Sequence, residues 1–319
     1  MFGVVTTVKY QNILVTGALG HIGSALIRDS LLLGCTAKLT LVDDLSTQRY
    51  CSLFGLPLGV EYSFLEGDVA LVVTDEMLAH TDAVVHLAGT VNPTRTFSEL
   101  QNLRDNNLRI TKHIAECCLR SNTPLIFASS TSVYTPSSLS VDESSTELKP
   151  AGGYAKCKLE EELLIRKTMT SGRFIIFRFG TIFGPSPGMQ FQTAVNKFCW
   201  EAIRGVPIEV WRTALVQTRP YLAISDCTML LRHAIINEIY PNRIVNAATC
   251  NVTAQDVLDC IRSQGLSTTV NVVESLAMNQ LSYSASTSLA KSLGFSFSNT
   301  LEGGIAETLR LFGGITRFK

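Results

Sequence analysis

Tyr154 and Lys158 lie four residues apart in Tyr154-Ala-Lys-Cys-Lys158, and residues at i and i+4 share one face of a helix. That spacing pairs a phenol with an ammonium. A free tyrosine has a pKa of about 10 and is a poor base at neutral pH. One cation about 4 Å away, at an effective dielectric of about 20, contributes about 4 kcal/mol. This is enough to bring the phenol towards about 7, where general acid–base catalysis works best. Lys156, at i+2, lies on another side of the helix. Ser130, in Ala128-Ser-Ser-Thr-Ser-Val-Tyr134, adds a hydroxyl placed to hydrogen-bond the substrate oxygen that gains or loses the proton. Proton transfer at an alcohol of this kind calls for a partner that takes hydride.

The turn Thr16-Gly17-Ala18-Leu19-Gly20-His21-Ile22-Gly23 points to that partner. Gly17 permits a tight turn, Gly20 lets backbone approach a pyrophosphate, and Gly23 lets a helix pack close to a strand. Leu19, His21 and Ile22 complete the helix start, whose N–H groups and positive dipole end face the phosphates. Asp43 stands twenty positions past Gly23 at the end of the next strand. Its carboxylate is placed to bond both ribose hydroxyls and to repel a 2′-phosphate, and the nearest arginine is Arg49, so the expected dinucleotide is NAD. Asp68 and Val69, after the third strand, are placed near adenine, although a simple turn also accounts for them. His21 and His86 read as packing residues rather than ligands.

Around these motifs, apolar runs at 12–16, 38–42, 62–66, 83–87, 124–128 and 174–179 alternate with helical patterns at 21–34, 103–120 and 154–168. This order predicts an α/β fold with a doubly wound parallel sheet of Rossmann type, its loops aligned along one edge. After Gly184-Pro185 the rhythm changes to a helix at 191–204 and short strands at 207–211 and 221–224. The expected division is a dinucleotide-binding domain over 1–180 and a smaller mixed α/β substrate lobe over most of 181–319. Segments near 221–235 and 243–249 return to the first domain. Lys+Arg equals Asp+Glu, 27 each, which argues against a nucleic-acid binder. The nine cysteines form no C-x-x-C pair and no zinc spacing, so free thiols in a reducing compartment and no metal are expected. No run approaches the ~20 apolar residues that span a bilayer, and the first ten residues lack a signal-peptide pattern, which suggests a cytoplasmic location.

Together the motifs resemble an extended short-chain dehydrogenase/reductase, the NAD-dependent epimerase/dehydratase family that includes UDP-glucose 4-epimerase. The resemblance runs over nearly the whole chain. It rests on TGALGHIGS at 16–24, VDDLS at 42–46, GDV at 67–69, HLAG at 86–89, NNLRIT around Asn107, SSTSVY at 129–134 and YAKCK at 154–158. It continues through RFGTIFGP at 178–185, RPYLAISD at 219–226 and VNAAT at 245–249. It implies that Tyr154 is the catalytic base, that Lys158 also holds the nicotinamide ribose, and that Ser130 assists. Leu87, Ala88, Gly89 and Asn107 would line the cofactor. Arg219 would bind a substrate diphosphate with its forked guanidinium, with Asn196 and Thr131 near the substrate. It also implies a homodimer through a four-helix bundle, for which 103–120 and 154–168 are the candidate helices.

Four positions depart from the family pattern: Thr135 replaces a usual Gly, Gly180 a common Asn, and Thr131-Ser132 the Asp-Glu pair of sugar-nucleotide dehydratases. Removing water needs an extra acid and base, so dehydration is disfavoured. Decarboxylation is disfavoured too, because Ser132 stands where decarboxylating relatives keep Glu. Epimerisation needs the least equipment, and a UDP-sugar 4-epimerase or close relative is the expectation. A net oxidoreductase on a nucleotide sugar or hydrophobic alcohol, and a non-catalytic dinucleotide sensor, remain alternatives. The segment 186–218 is expected to shape the choice of sugar.

Overall fold

In a computed structural model, residues 9–91, 97–134, 140–146, 148, 150, 152–274 and 282–314 are described. Thr135 and residues 1–8 of the amino-terminal segment considered above lie outside them. In chain order the first half comprises β1 (Tyr10–Thr16), α1 (His21–Leu26), α2 (Ser30–Leu33), β2 (Thr36–Asp43), β3 (Glu61–Glu66), α3 (Val69–Val72) and α4 (Asp75–Ala79). It continues with β4 (Ala83–His86), α5 (Phe97–Ser121), β5 (Leu125–Ser130), β6 (Ser140–Val141), α6 (Gly153–Thr168) and β7 (Phe174–Phe179). Then come β8 (Thr181–Phe183), α7 (Ala194–Ile203), β9 (Ile208–Trp211), β10 (Arg219–Ala223), α8 (Ile224–Ile236), β11 (Arg243–Ala247) and β12 (Cys250–Val252). The chain closes with α9 (Ala254–Ser263), β13 (Val270–Val273), β14 (Ser284–Ala285), α10 (Ser288–Ser292) and α11 (Leu301–Arg310).

The central sheet has seven parallel strands in the order β11-β7-β5-β4-β1-β2-β3. The order reverses at β1, so a cleft opens at the carboxyl ends of β1 and β4. Both faces are covered, which is why the strands read as continuous apolar runs rather than alternating ones. Ile13, Val15, Val85, Ile126 and Phe177 pack towards Leu26, Leu230 and Leu231 on one side. Leu14, Val84, Phe127 and Ile176 pack towards Ile110, Ile114 and Ile165 on the other. A separate core around Phe183, Val195, Phe198, Leu258, Ile261 and Ile305 belongs to the later elements. There β10 pairs with β8 and β12 in a small sheet, while β11 returns as the edge strand of the large one. No helix of the described residues is long and apolar enough to cross a membrane.

The single helix expected over 21–34 is broken in two. Asp29 accepts the N–H groups of Leu31 at 3.1 Å and Leu32 at 3.0 Å, which caps α2 and ends the turn before it. Its other oxygen takes Arg232 Nη1 of α8 at 2.7 Å. The break is therefore fixed by a partner some two hundred residues away.

Candidate active site

The glycine turn leaves β1 at Gly17, whose φ is +64°. A Cβ there would sit 2.7 Å from the Ala88 nitrogen, and one on Gly23 would sit 2.5 Å from the Gly17 oxygen. The turn is thus pressed against the Leu87–Ala88 backbone, with α1 tight behind it. Gly20 differs: a Cβ would meet Gly17 O at 3.3 Å and Arg49 Nη1 at 3.7 Å. Gly20 is thus less tightly enclosed than Gly17 or Gly23 and stands beside a guanidinium, a setting that fits a dinucleotide diphosphate. Ile22 is partly buried behind the turn. Asp43 reaches the turn from β2, taking the N–H of Leu19 on Oδ2 and of Leu45 on Oδ1, each at 3.0 Å. Burial raises its pKa, and those two N–H groups oppose the rise. Each oxygen keeps a lone pair for a ribose hydroxyl.

His21 turns away from the cleft. Its Nε2 meets the Gly184 carbonyl at 2.8 Å, and burial drives its pKa down to about 4, partly offset by that carbonyl. Asp68 caps α3 through the Ala70 N–H at 2.8 Å and also takes both Nη groups of Arg109, while Val69 is buried in the core. Asn107 is fully buried and grips the Thr90 backbone through both amide atoms, at 2.8 and 3.1 Å. It holds the chain beyond Gly89, whose Cβ position lies 3.4 Å from the Asn107 amide.

Tyr154 is the second residue of α6, and α6 packs against the short turn 131–133 that follows Ser130. Tyr154 is half-buried and Lys158 buried. Ser130 Oγ accepts both the N–H of Ser132 at 3.2 Å and its O–H at 2.9 Å. With both lone pairs engaged, the Ser130 hydrogen remains to be donated. The expected acidification of Tyr154 is not found in the chain by itself. Burial pushes the phenol above its ordinary value; Lys158 works against this, and Glu161 and Cys157 add to it. Burial is the chief reason, and the Glu161 charge adds to it: Glu161 Oε2 stands 3.1 Å from Lys158 Nζ, with both side chains buried. Burial favours the neutral amine, but Glu161 and Tyr154 hold the Lys158 pKa above its ordinary value.

On the opposite side, Thr131 is buried beneath Tyr283, whose hydroxyl donates to the Thr131 carbonyl at 3.0 Å. The Arg219 guanidinium lies over the Tyr283 ring, 5.1 Å from its centroid. Tyr283 is delivered there by β14, which pairs with β6 beyond the turn. Asn196 is fully buried and spans loop 184–190, accepting the Gly184 N–H at 3.1 Å and donating to the Gln190 carbonyl at 3.0 Å. That loop is fastened to α1: Ser186 Oγ donates to His21 O at 2.9 Å, and Gly188 N–H to Ser24 Oγ at 2.9 Å. The structure thus brings Thr131 and Arg219 to Tyr283, and sets Tyr154 and Lys158 on α6, which packs against the strand and turn that carry Ser130. It spends Asn107, Asn196 and His21 on holding backbone.

Sequence reasoning missed Glu161, Tyr283, Arg49 and Ser132. Glu161 had a readable signal, three residues past Lys158 on the same helical face. Tyr283 had none, because its role depends on a two-strand pairing far along the chain.

A family model described as the NAD dependent epimerase/dehydratase family matches residues 13–248. An ADP-L-glycero-D-manno-heptose-6-epimerase of Alkalilimnicola ehrlichii is 25% identical over 260 residues, covering 77% of this chain and 80% of its own. A trifunctional UDP-glucose 4,6-dehydratase/epimerase/reductase of Arabidopsis thaliana is 25% identical over 332 residues; these cover 96% of this chain but 48% of the relative, about half its length. The UDP-glucuronic acid 4-epimerase of Bacillus cereus, solved with NAD, superposes with a TM-score of 0.83 at 23% identity, over 95% of this chain and 100% of its own. An NDP-hexosamine 5,6-dehydratase superposes at 0.80 with 22% identity, over 95% of this chain and 98% of its own. These structural likenesses show a shared fold and join epimerases and dehydratases alike. With a family match over residues 13–248, this chain belongs to the NAD-dependent epimerase/dehydratase family, and NAD is its cofactor.

Proposed function

We propose that the chain is a nucleotide-sugar epimerase of the UDP-sugar 4-epimerase kind. The observation that carries the reading is the hydroxyl turn beside α6. Ser130 is set as a donor by Ser132, and the two residues after it are Thr and Ser rather than the acids that dehydration requires. NAD supplies a reversible hydride acceptor. Tyr154 takes the proton of the sugar hydroxyl and returns it, Lys158 supports the phenolate charge, and Ser130 donates to the same oxygen. Arg219 at the start of β10 binds the diphosphate, with Asn196 shaping the loop beside it and Thr131 at the sugar. Gly17, Leu19, Gly20, Ile22, Gly23 and Asp43 hold the dinucleotide by the diphosphate and ribose, with His21 contributing its backbone only, since its ring bonds the Gly184 carbonyl. Asp68 and Val69 take the adenine end, and Leu87, Ala88, Gly89 and Asn107 the wall. The reading includes a cytoplasmic homodimer through α5 and α6, where Leu163 is 55% exposed.

The test is a panel of UDP-sugars carrying deuterium at the carbinol carbon. Interconversion of epimers without net NADH formation is expected, and Tyr154→Phe lowers kcat at least ~100-fold while leaving NAD binding intact. Stoichiometric absorbance at the nicotinamide wavelength would instead identify a net oxidoreductase. Retained dinucleotide with neither outcome would identify a sensor.

A further inference from the structure

Beneath the Tyr154/Lys158 pair lies a buried polar chain that the reaction as described does not use. Glu161 Oε2 stands 3.1 Å from Lys158 Nζ, and its Oε1 accepts the Thr111 hydroxyl of α5 at 2.7 Å. Thr111 Oγ1 lies 3.3 Å from His86 Nε2, and His86 Nδ1 lies 2.6 Å from Thr16 Oγ1, which takes the Ala88 N–H at 3.3 Å. His86, Thr111, Thr16 and Glu161 are all buried. The directions are mutually consistent. Thr111 donates to the carboxylate, so its oxygen accepts from His86 Nε2–H, and His86 Nδ1 accepts from Thr16. A neutral imidazole satisfies every link, and burial keeps His86 neutral, with a pKa lowered to about 3. The chain runs from the dinucleotide turn on β1, across β4 and α5, into α6.

We infer that Glu161 is a positioning residue for proton transfer: it draws the Lys158 ammonium back towards α5, away from full service to Tyr154, and so sets the pH range in which the phenol exchanges its proton. Tyr154, Lys158 and Glu161 occupy i, i+4 and i+7 of α6, one face over two turns, or about 10 Å of helix. The ammonium is further fixed over the Phe127 ring, 4.6 Å from its centroid. Several other charges around the helix are engaged elsewhere. Arg178 of β7 is held by Glu162, Arg104 of α5 by Glu160, and Lys112 of α5 by Glu116. His113 of α5 bonds the Val73 carbonyl, and Cys157 points its thiol at Glu161, 3.8 Å away. Glu161 is therefore the carboxylate that acts on the Lys158 charge, and Thr111 fixes where it acts. Burial and Glu161 both push the Tyr154 pKa upward, in keeping with this arrangement.

The inference rests on Tyr154 as the proton-transfer group, but its test does not depend on turnover. Phenolate absorbance near 295 nm is titrated in the purified protein and in Tyr154→Phe, and the difference isolates Tyr154. Glu161→Gln is expected to lower that midpoint by about one pH unit, a charge effect over this distance. Thr111→Val, which keeps both charges and removes the anchor, is expected to give a smaller shift in the same direction and to keep the test open if Glu161→Gln does not fold. Once a substrate is identified, the acid limb of kcat/KM is expected to move with the midpoint. A Tyr154 midpoint that stays within 0.2 pH unit of wild type in the folded variants overturns the inference. Full turnover by Tyr154→Phe would overturn the epimerase mechanism instead, and the titration would still decide the role of Glu161.

Discussion

Single atoms decide much of the cofactor cradle. Gly17 combines a φ of +64° with a Cβ position already within 2.7 Å of the Ala88 backbone. An alanine there must pay for a left-handed conformation and displace β4's carboxyl end. Gly17→Ala is expected to lower the melting temperature by several degrees and to abolish the stabilisation that added NAD confers, both read in one thermal melt series. The mutant should respond to NAD no more than a buffer blank does. This glycine was legible because the residue type itself records the backbone constraint. Asn107 and Asn196 were not legible in the same way. An asparagine that clamps a backbone looks, in a sequence, like one that touches a ligand. Only the hydrogen bonds to Thr90, Gly184 and Gln190 show how these side chains are occupied.

Elements are joined here by buried polar contacts as well as by apolar packing. Arg178 of β7 meets Glu162 of α6 through two bonds of 2.9 and 2.6 Å, and Ser129 of β5 adds a third to the same carboxylate at 2.5 Å. Arg178 also lies over the Tyr134 ring, whose hydroxyl bonds Asn246 of β11 at 2.8 Å. Removing one partner of such a buried pair strands the other charge. Glu162→Ala is expected to destabilise the protein by about 3–5 kcal/mol, measured by urea denaturation, whereas Glu160→Ala on the exposed side of the same helix is expected to cost less than ~1 kcal/mol. Equal costs would show that the Glu162 cluster does not fasten α6 to the sheet. The helix of α6 was evident from its periodicity. Which of its three consecutive glutamates binds which arginine was not, because that depends on how α6 is rotated against β5 and β7.

At the scale of the whole molecule, two histidines make folding sensitive to acid. His21 is part-buried and His86 fully buried, and loss of solvation lowers their pKa values to about 4 and about 3. Both are neutral in either state above their ordinary value near 6.5, so they leave stability unchanged there. Below it the unfolded chain binds protons that the folded chain refuses, and each histidine costs up to about 1.4 kcal/mol per pH unit until its folded pKa is reached. Melting temperature is therefore expected to fall between about pH 6.5 and 4, and His86→Asn to flatten part of that fall. A profile unchanged by the substitution would remove His86 from this role. What the amino-acid sequence determined by itself was local: alternating strands and helices, the glycine turn with Asp43, and Tyr154 one helical turn from Lys158. These are properties of spacing and residue type, and they survive without knowledge of any distant partner. The tertiary structure alone decided the state of those groups. Glu161 pairs with the still-charged lysine expected to acidify the phenol, Tyr283 arrives from about 150 residues away to buttress Thr131, and loop 184–190 closes over α1. Charge, burial and hydrogen-bond partners depend on what lies nearby in space, and spacing along the chain does not encode that.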